Sequence, residues 1–353
     1  MTLAHENLDT LEAATLTEAQ HLAEDVIRDR LESRFSAKGE SPRIFHNIFH
    51  AEVVQEKALH TFDRMAKEAP WFLLMDEPKV LSSDLAQVRA YFSIISLGHD
   101  LVQKASVDES GRLHRNHGNG PDQSEGLTAI ELVEIISQLK APEGNRYFEG
   151  VTAATVQRDI AATNVTFSIE NVAYKGIQYD RALKVAQPDL PNASALGVIL
   201  AMADLKTACT SDFEIDRLWS NAEFLESNPW LVQSTQKGLT NMSNDEKYNA
   251  VVSIKDWVHS EIGFLVEQQL ALVSDLTTLR QELNVRFGPD KAERVIEVLR
   301  EEFSTDTLEG NIEKAVLRAQ KVDLLFADYT SAKASGKVLD KLVTQFLEEV
   351  RVV

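Results

Sequence analysis

A single cysteine, Cys209, excludes a disulfide within the chain and fits a reducing compartment. Basic residues are also scarce: 36 Lys and Arg stand against 55 Asp and Glu, for a formal net charge of −19. With no clustered basic stripe to offset it, that balance argues against long contact with a nucleic-acid polymer. A small phosphorylated substrate is compatible with it, because one bound metal ion reverses the field inside a pocket. No apolar run approaches the ~20 residues needed to cross a bilayer, so no membrane anchor is expected. The N-terminal stretch MTLAHENLDTLEAATLTEAQ lacks the charged-then-apolar profile of a secretion leader and is too acidic for a transit peptide. The expected location is the cytoplasm. Internal repeats and low-complexity tracts are absent, and a homo-oligomer is neither required nor excluded.

What is present is helical periodicity over almost every informative segment, so an all-α fold is expected. Residues 16–36 carry apolar positions at helix spacing and stop before Lys38-Gly39-Glu40. Ser41-Pro42 has the form of an N-cap with proline in the first turn, which would launch a helix through His46 and His50. Asp76-Glu77-Pro78 breaks the chain, and Ser82-Ser83-Asp84 offers a cap for the segment that ends at His99-Asp100. Ser106–Gly126 is polar and glycine-rich, a loop of the length that is usually functional or disordered. Helical period returns after Gly126 and again near Val151. A proline-marked turn, Gln187 to Asn192, precedes the helix that holds Asp204.

The chain is long enough for one large domain or two. The expected organisation is an N-terminal helical extension over 1–40, a metal-binding domain over 41–230 and a C-terminal helical region over 231–353. Asn228-Pro229-Trp230 and the polar Ser234–Asp245 mark that second boundary. Beyond it, Leu272, Leu276, Leu279 and Leu283 form the stripe of a helix packed in a bundle. Gly288-Pro289-Asp290 opens a further helix.

Three segments place polar ligands on apolar faces. Counting back from His99 by four and three gives Ile95, Phe92, Val88 and Leu85, so the histidine continues a buried stripe, with Asp100 at its edge. Asp204 lies four and eight residues after Leu200 and Leu196, and Lys206 points elsewhere. A carboxylate aimed into a core costs several kcal/mol unless it is paired or coordinated. His46 and His50 are four apart, hence expected on one helical face. Two neutral imidazoles (His50, His99) and two aspartates (Asp100, Asp204) sum to −2 and balance one divalent cation. The nitrogen and oxygen mixture suits Fe, Mn, Zn, Co or Ni, with Mg for a second, oxygen-rich position, so one or two ions per chain.

These residues, in this order, resemble the HD superfamily of metal-dependent phosphohydrolases: a histidine, an adjacent His-Asp, then a distant aspartate. The segment FHNIFH around His46 is similar to the Tyr-His-Asn-x-x-His opening of many members, with Phe45 for tyrosine. In the cyclic-nucleotide phosphodiesterase branch the histidine at the place of His46 is the general acid. Glu125 with Thr128-Ala129 is similar to a Glu-x-x-Ser-Ala motif of small HD phosphohydrolases, and Ile160 with Thr163 to their Ile-x-x-Thr. The resemblance covers roughly residues 40–210 and implies an HD-like helical bundle. Gln103 replaces a histidine of the phosphodiesterase signature, Thr166 one of the small phosphohydrolases, and the Gly-Tyr-Pro motif of the cyclic-dinucleotide branch is missing. Both of the best-defined nucleotide classes are thereby disfavoured, and the substrate stays open.

The implied activity is metal-assisted hydrolysis of a small phosphomonoester or phosphodiester, nucleotides among the candidates. Asp100 would ligate and bridge, and His46 would protonate the leaving oxygen, a role worth roughly 10²–10⁴-fold in rate. Arg112, His114, Arg115 and His117 put positive charge near the His-Asp pair, either as a solvated loop or as a phosphate site; with Glu125 and Thr163 they are the candidate substrate-binding residues. Two rivals stand beside the hydrolase: a regulatory HD module that binds without turnover, and a di-iron HD oxygenase drawing on His114 and His117.

Overall fold

A computed structural model describes residues 11–39, 41–75, 84–109, 112–116, 118, 120, 122–174, 177–187, 190, 193–335 and 339–351, with only the backbone described at 167, 169–174, 177–186 and 207. Asp76-Glu77-Pro78, Ser82-Ser83, His117 and most of the turn from Gln187 to Asn192 lie outside the described residues. The architecture is all-α, with strands confined to short pairs and one hairpin.

The first helix, α1 (Leu16–Phe35), is capped by the Thr15 side chain and buries Ala19, Ala23, Ile27, Leu31 and Phe35. The second, α2 (Ile48–Glu68), does not start at Ser41-Pro42 as its sequence implies. Asn47 is the cap instead, its side chain accepting from the Phe49 and His50 amides. The amides of residues 44–46 are committed elsewhere, to a distant glutamate described below, and cannot enter a helix turn. His46 therefore precedes the helix, and only His50 lies on it.

After the short α3 (Pro70–Leu74), α4 (Leu85–Gly98) starts on an Asp84 cap and is buried along most of its length. Gly98 closes it because there is no room for more: a Cβ there would meet Leu132 Cδ2 at 2.4 Å and Ile27 Cδ1 at 3.3 Å. The polar stretch that follows contains a small antiparallel pair, β2 (Ala105–Val107) and β3 (Leu113–Arg115), with Ala105 opposite Arg115. Next come α5 (Ser124–Gln138) and α6 (Ala153–Ile160). The pair β1 (Leu11–Glu12) and β4 (Leu139–Lys140) runs parallel and ties the N-terminal segment to the end of α5.

A long hairpin, β5 (Thr166–Tyr174) and β6 (Ile177–Ala186), interrupts the helices, with Thr166 opposite Ala186 and Tyr174 opposite Ile177. Helical period alone gives no sign of it. Next, α7 (Ala195–Leu205) is capped by Ser194 and almost wholly buried. Asp159, buried at the end of α6, accepts from Tyr91 Oη (2.7 Å) and Ser194 Oγ (2.6 Å), so it ties α4 to α7. Glu24, Gln55 and Ser93 form a comparable buried network that ties α1, α2 and α4.

The remaining helices are α8 (Phe213–Ser227), α9 (Pro229–Gln236), α10 (Asn244–Phe287), α11 (Pro289–Glu302), α12 (Thr305–Ala334) and α13 (Asp340–Glu349). The leucine stripe of α10 is core, with Leu272, Leu276 and Leu283 buried. Gly288, at φ +86°, turns the chain from α10 into α11, a conformation that favours glycine. These helices pack on the first half of the molecule. Asn311 Nδ2 donates to the Ala208 and Ser211 carbonyls, and Arg64 of α2 pairs with Glu301 and Glu302. One buried apolar cluster runs from Ala13 to Val350. Among the described residues no helix is long and apolar enough to cross a membrane.

The C-terminal helices are locked by a buried ion pair. Arg318 of α12 donates to Glu261 of α10 (2.7 Å), to Asn221 Oδ1 of α8 (2.9 Å) and to the Glu349 carbonyl of α13. Arg318→Leu leaves Glu261 buried without its cation and should cost about 3–5 kcal/mol in urea unfolding. The double variant Arg318→Leu/Glu261→Leu should recover most of that loss. A single variant as stable as wild type would show that the pair is idle.

Candidate metal centre

Three helix ends meet at one point. His50 sits in the first turn of α2, His99 caps the C-terminus of α4 with Asp100 next to it, and Asp204 lies in the last turn of α7. Two of the three elements thus bring their carbonyl ends, the negative poles of their dipoles, to the same place as two carboxylates. His50, His99 and Asp100 are all buried. One ligand atom from each lies within 4.8 Å of the others, so the group can hold a metal ion. Asp204 joins them, its Oδ1 lying 3.2 Å from His50 Nε2 and 3.6 Å from His99 Nε2. Asp100 Oδ2 lies 3.7 Å and 3.6 Å from the same two nitrogens.

The histidine chemistry decides whether these residues suit a cation. His99 Nδ1–H donates to the Ser96 carbonyl at 2.8 Å, which fixes the proton on Nδ1 and leaves the Nε2 lone pair facing the carboxylates. That Nε2 is buried and has no hydrogen-bond partner. A lone pair and two carboxylates turned on one another repel unless a proton or a metal ion sits between them, so the donor set fits a divalent cation. His50 is oriented by packing, with Phe45 and Trp219 ring centroids 4.6 Å and 5.4 Å away.

The electrostatics agree. Burial disfavours charge on His99, but Asp100 and Asp204 outweigh it and push its pKa up to about 9. Burial lowers the pKa of His50, which stays neutral. Both carboxyls are held well below their usual range. Burial opposes this, but Arg115 and His99 outweigh it at Asp100, and His50 and His99 do so at Asp204. A cation would replace the proton that His99 otherwise holds.

Around the cluster the candidate residues separate. Arg115 is anchored inward, paired with Asp100 and lying 3.5 Å from Glu125. Glu125 is buried and accepts from the Gly118 amide, so it shapes the loop that delivers Arg115. His114 is exposed and pairs with Asp108 at 2.7 Å, Arg112 is exposed, and Thr163 donates to the Ile160 carbonyl. His46 stands beside the cluster, its ring centroid 5.7 Å from that of His50.

The partners of His46 come from a region with no sequence motif. Glu226 of α8 lies 2.7 Å from His46 Nδ1, and its other oxygen accepts from the amides of Ile44, Phe45 and His46 at 2.8–3.1 Å. Burial works against the Glu226 charge, but His46, the amide donors and Arg43 outweigh it and pull its pKa down to about 2. Trp219, Glu223 and Glu226 follow four-three spacing along α8 and so share one face. Arg43, its side chain only 6% exposed, lies 3.9 Å from Glu226. Arg43 Nε and Arg115 Nε are both buried without a hydrogen-bond partner.

No family model, curated protein or solved structure matches this chain. A cavity of about 330 Å³ lined by Arg158, Ser194, Val198 and Leu279 lies at the opposite end of α7 from Asp204, away from this chemistry.

Purified protein should bind at least one divalent ion, and His50→Ala or His99→Ala should remove most of it, as read by mass spectrometry. Because His99 is raised from 6.5 to about 9, its proton competes with the metal below that pH. Apparent affinity should climb about tenfold per pH unit between 7 and 9, then level off. With chelator the sign reverses: protonated His99 stabilises the fold fully below its ordinary 6.5, and this contribution is lost as pH rises through about 9. Metal affinity independent of pH would remove His99 from the ligand set.

Proposed function

We propose that this chain is a metal-dependent phosphohydrolase of the HD type, acting on a small phosphate ester. The observation that carries the reading is the buried His50, His99 and Asp100 cluster with Asp204 against it, beside which His46 is held by a carboxylate outside the ligand set. These four side chains would hold one or two divalent ions, with Mn, Fe, Mg, Zn, Co and Ni all compatible with the donors. When bound, such an ion polarises a phosphoryl oxygen and activates water.

The remaining work falls to the chain's own residues. His46 donates its Nδ1–H to Glu226, so the proton it exchanges is the one on Nε2. It gives that proton to the leaving oxygen, and Glu226 stabilises the imidazolium before transfer. Arg115 and Arg43 bring positive charge to the pocket of a chain whose formal net charge is −19. Of the polar side chains at the site, those of Asp204, Arg115 and His46 keep 13%, 14% and 19% exposure, so substrate approaches across these three.

Elemental analysis followed by a phosphate-release screen tests the reading, using nucleotides and sugar phosphates with added Mn, Mg, Fe or Ni. Release should depend on metal. His46→Ala should keep its metal while kcat falls by about 10²-fold or more, as loss of a general acid implies. A metal-loaded protein that neither releases phosphate from these monoesters nor cleaves a phosphodiester would sink the hydrolase reading, and unchanged turnover in His46→Ala would free that residue of a catalytic role.

A further inference from the structure

Two turns of α2 beyond His50, an amine and a hydroxyl are held together where that helix passes the start of α8. Lys57 Nζ donates to Ser211 Oγ at 3.2 Å, the one bond this hydroxyl makes among the described residues. The serine is fixed by its backbone instead. Asn311 Nδ2 of α12 donates to its carbonyl at 3.1 Å and to that of Ala208 at 2.9 Å. The Ser304 amide donates to the Cys209 carbonyl, so the turn between α7 and α8 is clamped along its length. Ser211 is 9% exposed, with Thr210 and Asp212 exposed on either side of it.

A serine hydroxyl is a weak nucleophile until a neutral base takes its proton. An ordinary lysine, at 10.5, is charged and cannot do so; burial of Lys57 outweighs the pull of Asp216, Cys209 and Glu56 and lowers it to about 8. Asp216, one turn into α8, is the largest of those opposing charges and is itself buried. It faces Lys57 together with Glu261 of α10 and Arg318 of α12, and burial with Glu261 pushes it up to about 7. Above pH 8 the pair is therefore a neutral amine beside a carboxylate. The nearby thiol does not compete, because burial pushes Cys209 up to about 12 and keeps it protonated. Nucleophile, base and orienting carboxylate stand in sequence, as acyl transfer requires.

We propose that Ser211 and Lys57, with Asp216 as a positioning residue, form a second catalytic site that hydrolyses small uncharged carboxylic esters. Neutral Lys57 takes the Ser211 proton as Oγ attacks the ester carbonyl carbon. The bond to the alcohol oxygen then breaks, and the proton leaves with the alcohol. Water attacks the acyl-serine by the same route, releasing the carboxylic acid and restoring the hydroxyl. Asp216 holds the ammonium that exists between these proton transfers. Ser211 directly precedes the Asp212 cap of α8, so the charge of the tetrahedral intermediate forms near the positive end of that helix. Exposed Glu56, Asp212 and Glu214 lie beside the pair in sequence and disfavour anionic substrates. The site is thus independent of the phosphate chemistry at His50.

The probe is 4-nitrophenyl acetate, offered to the full chain as purified. Peptide mass spectrometry after brief exposure should find the acetyl group on Ser211. Nitrophenolate release should rise about tenfold per pH unit below 8 and level off above it, as titration of Lys57 requires. Ser211→Ala and Lys57→Met should each lower release by about 10²-fold or more. Lys57→Arg keeps the charge but cannot give up a proton, so it should be as slow as Lys57→Met. Asp216→Asn should move the midpoint of the pH profile below 8, and an unmoved midpoint overturns its positioning role. Acetyl groups on lysines alone, or release unchanged in Ser211→Ala, overturn the site. Where a variant fails to fold, the wild-type acetylation map decides, and an unlabelled Ser211 refutes the proposal.

Discussion

Two aspartates withdrawn from water set the terms for the rest of this structure. Asp100 and Asp204 approach the same pair of imidazole nitrogens from the ends of two helices. Left alone, such an arrangement is strongly unfavourable, because carboxylates in a low-dielectric interior need positive charge nearby. The fold supplies some of it in the protein itself, through Arg115 against Asp100 and a raised proton affinity at His99. A divalent cation could take the place of the His99 proton in that balance. Stability and ligand binding are therefore joined at this point: whatever neutralises the pair also holds α2, α4 and α7 together.

The architecture around the cluster reads as support for that junction. Asp159 links α4 to α7, and the Glu24, Gln55 and Ser93 network links α1, α2 and α4. Gly98 lets α4 close tightly on Leu132 and Ile27 just before His99. The donors can then converge to 3.2–3.7 Å of one another without relying on long loops for their placement.

Residues that break a local rule were the legible ones. His99 and Asp204 stood out because polar side chains occupied positions that helical spacing assigns to the core, and they meet at the centre. The leucine stripe of α10 was legible for the complementary reason, since spacing alone determines burial there. The hairpin from Thr166 to Ala186 was not visible against so much helical period. Ser41-Pro42 misled because a cap motif competes with other uses of the same amides, and Glu226 takes those amides from 180 or more residues away. Nothing local in α8 announces that role. Long-range hydrogen bonds of a single side chain leave no period to detect.

Glu226 also constrains which chemistry its position can tolerate. One of its oxygens receives three backbone amides and the other faces the His46 ring, so both must be acceptors. Glutamine has only one such oxygen. Spent on the amides, it would turn an NH₂ group toward His46 and force the ring into its other tautomer, with the proton on Nε2 and no counter-charge to hold a second. Aspartate would keep the charge but lose a methylene of reach. The position is thus fixed in both charge and length, although α8 contributes no side chain to the His50, His99 and Asp100 group.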